Sequence, residues 1–331
     1  MSGNIPFLLK PAAKDYLWGG RKLNDEFNKE IDVYPLAETW ECSTHPDGQS
    51  LVASSMDVGK PLSEVLREHP EYLGSHPLQV MKGIPELPVM IKLIDATEDM
   101  SVQVHPDDRY ALENENCLGK TEMWYVLAAR EGASLIYGFN QDMDRERVQN
   151  ALADGAIKKY LNRVPAREND VFFVEAGTVH AIGAGIIMAE IQESSNLTYR
   201  LYDFGRVDRD GKQRELHVEK ALQVMNMQSS AMPRQPMRVL RYKRGCASEL
   251  LARCKYFQVE RILLSTELYQ LSVDYKTDNN SFHAFLCTEG NGLLFGENFS
   301  LPFNKGNCIF IPAESIPLKL SGKAQILKVS C

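Results

Sequence analysis

The residues best suited to chemistry begin with a glutamine and a histidine two positions apart. Gln103 and His105 lie in SVQVHPDD, a segment with the pattern of a β-strand just downstream of the apolar run LPVMIKLIDA. Side chains at positions i and i+2 of a strand point to the same face, so this strand presents two polar groups on one side. On its own the pair fits a hydrogen-bonded histidine in a sheet, the commoner case, as well as a pair of metal ligands.

Two further residues extend this pair to a possible ligand set. Glu122 opens the strand EMWYVLAA, whose apolar neighbours would bury its carboxylate, and His180 ends a glycine-rich turn in EAGTVHAIGAG. Two nitrogens and two oxygens suit Zn²⁺ or another divalent first-row metal with positions left for water or substrate. The alternatives are that Gln103 is a satisfied strand amide, Glu122 pairs with Lys120, and His180 caps a turn.

The elements that must position these residues are mostly short β-rich runs. Apolar and β-branched residues, punctuated by Gly, Pro or Asn-Asp, predict strands in LPVMIKLIDA, TEMWYVLAAR, ASLIYGF, DVFFVEAG, GIIMAEIQ and TYRLYDF. This pattern is typical of a barrel or sandwich. Helical spacing predicts one or two short helices at roughly 141 to 163, and further helices in PLSEVLREHPEYLG and ELHVEKALQVMNM. The linker QSSAMPRQPMRV then places a domain boundary near residue 235.

The second half of the chain repeats the first in a weakened form. NDVFFVEAGTVH, from Asn169, aligns without gaps with GNCIFIPAESIP, from Gly306, and places Pro317 opposite His180. EMWYVLAAREGASLIYGF and HAFLCTEGNGLLFGE likewise both predict a strand, a glycine-containing turn and a second strand. One architecture is therefore expected twice, with the second copy metal-free and structural.

Composition limits the classes of function and partner. The 331 residues include 37 basic and 44 acidic side chains, and this net charge of −7 argues against a nucleic-acid surface or an anionic membrane partner. The seven cysteines are scattered, and the N-terminus has no signal-peptide pattern, so we expect reduced thiols and a cytoplasmic location. The sequence does not determine the oligomeric state.

The motifs together resemble a known family. YLWGG, AETWECSTHP, IKLIDA, SVQVHPDD, GKTEMWYVL, AGTVHAIG and SSNLTYRLYDFGR, in this order, resemble the type I mannose-6-phosphate isomerases (phosphomannose isomerases) of the short bacterial kind, metal-dependent members of the cupin superfamily. The resemblance implies a mainly β fold of two cupin-like β-barrel (jelly-roll) domains. Residues 1–235 would form the metal-binding cupin domain, with a helical insertion at about 141–167, and residues 236–331 a degenerate metal-free one. It also implies one zinc ion, whose family ligands match Gln103, His105, Glu122 and His180.

The resemblance also implies the residues of a sugar-phosphate site. Lys92, Lys120, Glu190 and Arg200 match positions expected to line it. The alternatives are a surface lysine at a strand edge for Lys92 and a salt bridge to Asp203 or Glu190 for Arg200. In one departure, longer bacterial relatives tend to have a histidine before the matching lysine, whereas this chain has Gly119.

The implied reaction interconverts mannose 6-phosphate and fructose 6-phosphate through a cis-enediol. Our hypothesis is that Glu190 or a metal-bound hydroxide takes the C2 proton, Lys120 or Lys92 assists at the oxygens, and Arg200 stabilises the developing charge. Trp18 is either a stacking surface for the sugar or a core aromatic. The rival functions are a cupin Fe(II) oxygenase and a non-catalytic, metal-containing cupin that binds sugar phosphate.

Overall fold

Strands dominate the computed structural model, which describes residues 4–207, 210–231, 233, 235, 237–267 and 271–331. The strands of these residues, in chain order, are β1 (Phe7–Lys10), β2 (Ala12–Lys14), β3 (Glu38–Cys42), β4 (Leu51–Val52), β5 (Val89–Ala96), β6 (Val102–Val104), β7 (Glu122–Ala129), β8 (Ser134–Phe139), β9 (Leu161–Pro165), β10 (Val171–Val174), β11 (His180–Ala181), β12 (Ile186–Glu193), β13 (Tyr199–Tyr202), β14 (Arg241–Lys243), β15 (Cys246–Arg253), β16 (Gln258–Ser265), β17 (Val273–Tyr275), β18 (His283–Gly296), β19 (Phe299–Asn304), β20 (Cys308–Ile311) and β21 (Leu318–Ser330). The mainly β prediction is confirmed.

The helices are short and lie between strands. They are α1 (Lys22–Phe27), α2 (Leu62–Glu68), α3 (Ser75–Val80), α4 (Asp108–Asn114), α5 (Arg145–Ala153) and α6 (Val218–Val224), with 3₁₀ turns at Pro70–Leu73 and Ile157–Lys159. In the described part of the chain, none of them is long and apolar enough to cross a membrane.

The strands form three antiparallel sheets. A six-stranded sheet has the order β10-β7-β12-β5-β3-β2, and a five-stranded sheet has the order β13-β6-β11-β8-β9. A ten-stranded sheet runs β14-β15-β16-β21-β18-β20-β1-β4, with β17 beside β21 and β19 beside β18. The N-terminal strand β1 therefore pairs with β20, far along the chain, and ties the two ends together.

The six-stranded sheet is covered on both faces around its centre. Every residue of β5 and of β12 is buried, which explains why both read as continuous apolar runs rather than as alternating strands. One core cluster on this sheet joins Ile91 and Met123 to Val259 and Phe310 of the ten-stranded sheet. The polar residues inside these strands must therefore find partners in the interior.

Two of the three predicted helical regions are confirmed, and the third is shorter than predicted. PLSEVLREHPEYLG contains α2 with the 3₁₀ turn, and ELHVEKALQVMNM contains α6. In the region predicted to be helical from 141 to 163, α5 ends at Ala153, close to Gly155, which has a left-handed φ of 64°. Residues Leu161–Pro165 instead form β9 against β8, because pairing with a distant strand overrides the local helical spacing.

The internal repeat is visible in strand register. Val171 pairs with Tyr125 between β10 and β7, and Cys308 pairs with Leu286 between β20 and β18. In the same two strand pairs, Glu122 lies opposite Val174 and His283 lies opposite Ile311. A histidine thus occupies, in the second copy, the position of Glu122 in the first.

One detail of the predicted repeat is wrong. HAFLCTEGNGLLFGE does not turn between two strands, because β18 continues through it as one strand paired with β21. The glycines are used for a bulge: the register shifts between Cys287 and Glu289, and Gly290 has a left-handed φ of 73°. The predicted linker at 228–239 lies partly outside the described residues.

A buried ion pair connects the segment that follows α1 to β3 of the six-stranded sheet. Lys29 Nζ lies 2.7 Å from Glu41 Oε2, with 4% and 0% of the two side chains exposed. Lys29 also donates to the carbonyl of Gly306, and Thr39 Oγ1 donates to Glu41 Oε1 at 2.6 Å. Each charge therefore depends on the other for compensation in the interior.

We expect Lys29→Met to lower the free energy of unfolding by about 3–5 kcal/mol, because it leaves the Glu41 carboxylate buried without a cation. Urea unfolding followed by circular dichroism measures the change. The control is Lys22→Met, which removes a mostly exposed partner 3.9 Å from Glu26 and should change little. Equal effects of the two substitutions would contradict the assignment of Lys29 as the critical partner.

Candidate metal centre

The five-stranded sheet supplies three of the four predicted ligands. Gln103 lies on β6, His105 directly follows that strand, and His180 opens β11, where it pairs with Gln103. Gly177 N donates to the carbonyl of His105 at 2.8 Å, which holds the turn before β11 against the end of β6. The period of two along β6 and the register of β11 thus bring the three side chains to one place.

Glu122 comes from the other side, at the start of β7 in the six-stranded sheet, and is fully buried. Its Oε1 lies 3.3 Å from His105 Nε2 and its Oε2 lies 3.8 Å from His180 Nε2. The two Nε2 atoms are 3.2 Å apart, and Gln103 Nε2 is 3.5 Å from His180 Nε2. The four predicted ligands therefore converge between the two sheets.

The spacing of these atoms fits a tetrahedral divalent cation. Zinc–nitrogen and zinc–carboxylate distances near 2.0–2.1 Å require ligand atoms about 3.3–3.4 Å apart. Within the described residues, His105, Glu122 and His180 are the group whose donor atoms could share an ion. Glu122 is fully buried and its two oxygens face the two imidazoles, as expected for a carboxylate that shares a cation with them. Flipping the Gln103 side-chain amide, which exchanges its nitrogen and oxygen, would place the oxygen where Nε2 now lies, beside His180 Nε2.

The surroundings keep the ligand atoms in the form that binds a metal. His180 Nδ1 donates to the carbonyl of Thr178 at 2.8 Å, so the lone pair lies on Nε2. Burial lowers the pKa of His180 and, together with the charge of Lys120, lowers the pKa of His105 to about 3. Although burial opposes it, the Lys120 ammonium holds the pKa of Glu122 well below its usual range. Both imidazoles are therefore neutral and Glu122 is ionised at pH 7.

Lys120 lies directly beside this group. Its Nζ is 2.6 Å from Glu122 Oε1 and 3.2 Å from His105 Nε2. The ion pair that the sequence offered as an alternative for Glu122 is therefore present. It does not replace the metal interpretation, because Glu122 also faces both neutral imidazoles, whose Nε2 atoms are donors for a metal.

A cavity of about 240 Å³ opens above these residues, and most of the predicted site residues line it. The lining residues are Tyr16, Trp18, Glu38, Lys92, Ile94, Met100, Ser101, Gln103, Lys120, Glu190, Asn196, Thr198, Arg200 and Arg214. A larger cavity of about 910 Å³ lies at the surface between β17, β18 and β21, but the described residues there include no group that could hold a metal. The smaller cavity is the candidate site.

Lys92 and Glu190 form a buried network on neighbouring strands. Lys92 Nζ lies 3.2 Å from Glu190 Oε1 and 3.7 Å from Glu38 Oε2, and only 4% of the Lys92 side chain is exposed. The strand-edge alternative for Lys92 is wrong, because β5 lies between β12 and β3. Burial and the charge of Glu122 raise the pKa of Glu190, whereas Glu38 and Glu190 raise the pKa of Lys92 against the effect of burial.

Arg200 reaches the cavity from β13 without a carboxylate partner in the described part of the chain. It donates from Nη1 to the carbonyl of Glu215 at 2.9 Å and from Nε to Ser101 Oγ at 3.4 Å. Asp203, the predicted alternative partner, accepts two hydrogen bonds from Arg214, at 2.7 and 2.6 Å. Arg200 thus retains donors for a ligand.

Sequence reasoning missed Arg214, Glu38, Ser101, Asn196 and Thr198. Glu38 stands in the quoted motif AETWEC, where its position between buried residues was a usable signal. Arg214 lies in the polar stretch GKQREL, which carries no periodicity. At the cavity it pairs with Asp203, a contact that spacing alone does not reveal.

Comparisons with known proteins agree with this geometry. The model of the type I phosphomannose isomerase catalytic domain matches residues 7–132, and that of the mannose-6-phosphate isomerase cupin domain matches residues 248–331. Mannose-6-phosphate isomerase ManA of Bacillus subtilis (strain 168) is 35% identical over 97% of this chain and 98% of its own. The chain belongs to the type I mannose-6-phosphate isomerase family.

Solved structures extend the comparison. The mannose 6-phosphate isomerase crystal structure from Bacillus subtilis superimposes with a TM-score of 0.88 at 32% identity, covering 99% of both chains. A zinc-bound mannose 6-phosphate isomerase shares the fold, with a TM-score of 0.77 at 15% identity over 98% of both chains. The expected cupin-like fold of the type I isomerases is confirmed.

The departure from longer type I isomerases at Gly119 has a steric basis here. A Cβ atom at Gly119 would lie 2.5 Å from the backbone nitrogen of Asp108 and 2.6 Å from the carbonyl carbon of Asp107. No larger residue fits unless the start of α4 moves away from this segment. A histidine is therefore excluded from this position with the present backbone.

We expect His180→Ala to abolish stoichiometric metal binding, because it removes one of the two nitrogen donors of the site. Metal per chain, measured by atomic emission after dialysis against a metal-buffered solution, should fall from near one to near zero. His69→Ala is the control: this histidine is 41% exposed and contacts Glu71 at the surface. Retention of a full equivalent of metal by the His180 variant would refute the ligand assignment.

Proposed function

We propose that this protein is a metal-dependent aldose-ketose isomerase that interconverts mannose 6-phosphate and fructose 6-phosphate. The observation that carries the proposal is the composition of the cavity. Gln103, Lys120, Lys92 and Arg200 line it, and the buried histidines and Glu122 lie beside Gln103 and Lys120. Membership of the family supports the same substrates. A cationic cavity suits a phosphorylated sugar in a protein whose net charge is negative.

We propose zinc as the metal and Gln103, His105, Glu122 and His180 as its ligands. When bound, zinc would polarise the oxygens at C1 and C2 and lower the cost of negative charge there. The nitrogen and oxygen donors, their tetrahedral spacing and the zinc-bound structure that shares the fold support this choice. Trp124 Nε1 donates to Glu122 Oε2 at 2.9 Å and so keeps that carboxylate oriented.

Glu190 is the residue that we propose for moving the proton between C2 and C1. Its carboxylate lines the cavity, and burial raises its pKa, which makes it a better base than an exposed glutamate. Trp124 Nε1 also donates to Glu190 Oε2 at 2.9 Å, while Lys92 contacts Oε1. These contacts fix the carboxylate in one orientation, as proton transfer to a bound sugar requires.

The cationic residues are proposed to hold the anionic parts of the substrate. Arg200 can grip a phosphate or an enediolate with parallel N–H groups, and Lys92 and Lys120 can donate to sugar oxygens. Trp18 is 2% exposed and stacks on Tyr16 at a centroid distance of 5.6 Å. We propose that this aromatic pair forms an apolar wall of the cavity against the sugar ring.

We also propose that residues 1–235 form the catalytic domain and residues 236–331 a metal-free structural one. In the second copy, His283 stands at the position of Glu122, and its Nδ1 is engaged by the Tyr275 hydroxyl. The alignment places Pro317, which has no ligand atom, opposite His180. A cytoplasmic location is proposed because all seven cysteines are free.

We expect the protein to convert mannose 6-phosphate into fructose 6-phosphate only when its metal is present. A coupled assay that consumes fructose 6-phosphate measures turnover before chelation, after chelation and after zinc is restored. Activity should disappear and then return. Undiminished activity in metal-free protein would refute the proposal, and binding without turnover would favour the sugar-binding alternative. Oxygen consumption would favour the oxygenase.

We expect Arg200→Ala to reduce kcat/KM by about 10²–10³-fold while bound zinc stays near one per chain. The substitution removes the group proposed to stabilise negative charge on the substrate, but it leaves the four proposed metal ligands in place. Arg200→Lys should recover only part of the loss, since a lysine lacks the planar pair of donors. Arg163→Ala is the control, because that arginine is half exposed at 3.8 Å from Asp99. Loss of zinc in the Arg200 variant would contradict this role.

A further inference from the structure

The backbone on both sides of Lys120 is held by residues outside the cavity. Gly119 N donates to Asp108 Oδ1 at 3.2 Å, and Lys120 N donates to the carbonyl of Pro106 at 3.1 Å. Thr121 N donates to Glu193 Oε1 at 2.7 Å. Three successive amides, at residues 119–121, are thus fixed immediately before Glu122.

Glu193 is almost fully buried, with 1% of its surface exposed. Its own backbone nitrogen donates to the carbonyl of Thr121 at 3.1 Å, so side chain and main chain hold the same residue. Burial and the charge of Asp108 raise the pKa of Glu193 to about 8, which leaves it protonated at pH 7. In the protonated form Glu193 can donate to the neighbouring Asp108 carboxylate, which gives its otherwise unpartnered, buried Oε2 atom a partner.

Asp108 in turn is held by the second half of the chain. Its Oδ2 accepts hydrogen bonds from Tyr256 at 2.9 Å and from Lys255 at 3.0 Å. Both residues belong to the tight turn between β15 and β16, closed by Cys254 N donating to the carbonyl of Phe257 at 2.9 Å. Phe257 is 1% exposed and anchors the turn in the core that both halves share.

These contacts leave little room for Asp108 to move relative to residues 119–121. The start of α4 lies so close to Gly119 that no Cβ atom fits between them. A displacement of Asp108 is therefore passed to residues 119–121, and from there to the Lys120 ammonium beside Glu122. Side chains that assist a reaction must be held to within about 0.5 Å of their productive geometry.

We propose that Asp108, Glu193 and Tyr256 are positioning residues for Lys120, through which the metal-free second half of the chain sets the geometry of the catalytic cavity. This inference rests on the proposed isomerase function. An interface that only stabilises the fold would predict loss of stability without loss of turnover per folded molecule. The two explanations therefore differ in what they predict for kcat.

The first test is Tyr256→Phe, which removes one hydroxyl and keeps the ring. We expect kcat to fall by about 3- to 10-fold with KM changed by less than about twofold, because Lys120 is misplaced in the transition state. Zinc per chain and Tm should stay close to their original values. The control is Tyr110→Phe, which removes a comparable hydrogen bond, to Gln223, from the same helix α4.

The second test compares two substitutions of Glu193. Glu193→Gln keeps an acceptor for Thr121 N and a donor for Asp108, so kcat should stay within about threefold of the original. Glu193→Ala loses both bonds, and kcat should fall by at least about 30-fold in the folded fraction. Rescue by glutamine separates positioning from any need for a charged carboxylate.

The third test is a double-mutant cycle. If Tyr256 acts through Asp108, then Tyr256→Phe should lower kcat much less when Asp108→Asn is already present. Unchanged kcat in Tyr256→Phe, additive effects in the cycle, or equal losses in both Glu193 variants would each overturn the inference. The proposed function is tested separately, by whether the wild-type protein converts mannose 6-phosphate. The variants are each compared with that wild-type rate and therefore test only the positioning of Lys120.

Discussion

The buried carboxylate of Glu122 is the constraint on which the site depends. An ionised carboxylate with no exposed surface is very unfavourable unless positive charge and hydrogen bonds surround it. Lys120 places a positive charge 2.6 Å from Oε1 and Trp124 donates a hydrogen bond to Oε2, while the two oxygens also face the two neutral imidazoles. The proposed divalent cation would add a partner for the imidazole nitrogens as well as for the carboxylate. The lysines and arginines that line the adjoining cavity make it suitable for an anionic sugar.

The proposed ligands come from two sheets. Gln103, His105 and His180 reach the candidate site from one sheet and Glu122 from the other, so their geometry is a direct result of how the strands of each sheet are paired. A slip of one residue along β6 would turn Gln103 and His105 away from the site. The pairing of His180 with Gln103 and the bond from Gly177 to His105 prevent such a slip. The buried residues of β5 and β12 hold the facing sheet rigid.

The sequence predicted which residues come together in the structure better than it predicted the contacts that support them. The period of two along a strand was sufficient to place Gln103 and His105 on one face, and burial among apolar residues was sufficient to single out Glu122. The strands and two helical regions followed from local patterns. By contrast, β9 was assigned to a helix because its pairing with β8 is tertiary, and Arg214 was missed because its role depends on Asp203. Local spacing contains no information about partners that the fold brings together from distant segments.

The second copy of the architecture illustrates the same distinction. Its strands keep the register of the first copy, with Cys308 opposite Leu286 as Val171 is opposite Tyr125. Its ligand positions have diverged, since His283 replaces Glu122 and is bonded to Tyr275. In this half, the turn that carries Tyr256 contacts Asp108, next to the segment before Glu122. The second copy of the fold is in this way joined, through hydrogen bonds, to the copy that contains the candidate metal site.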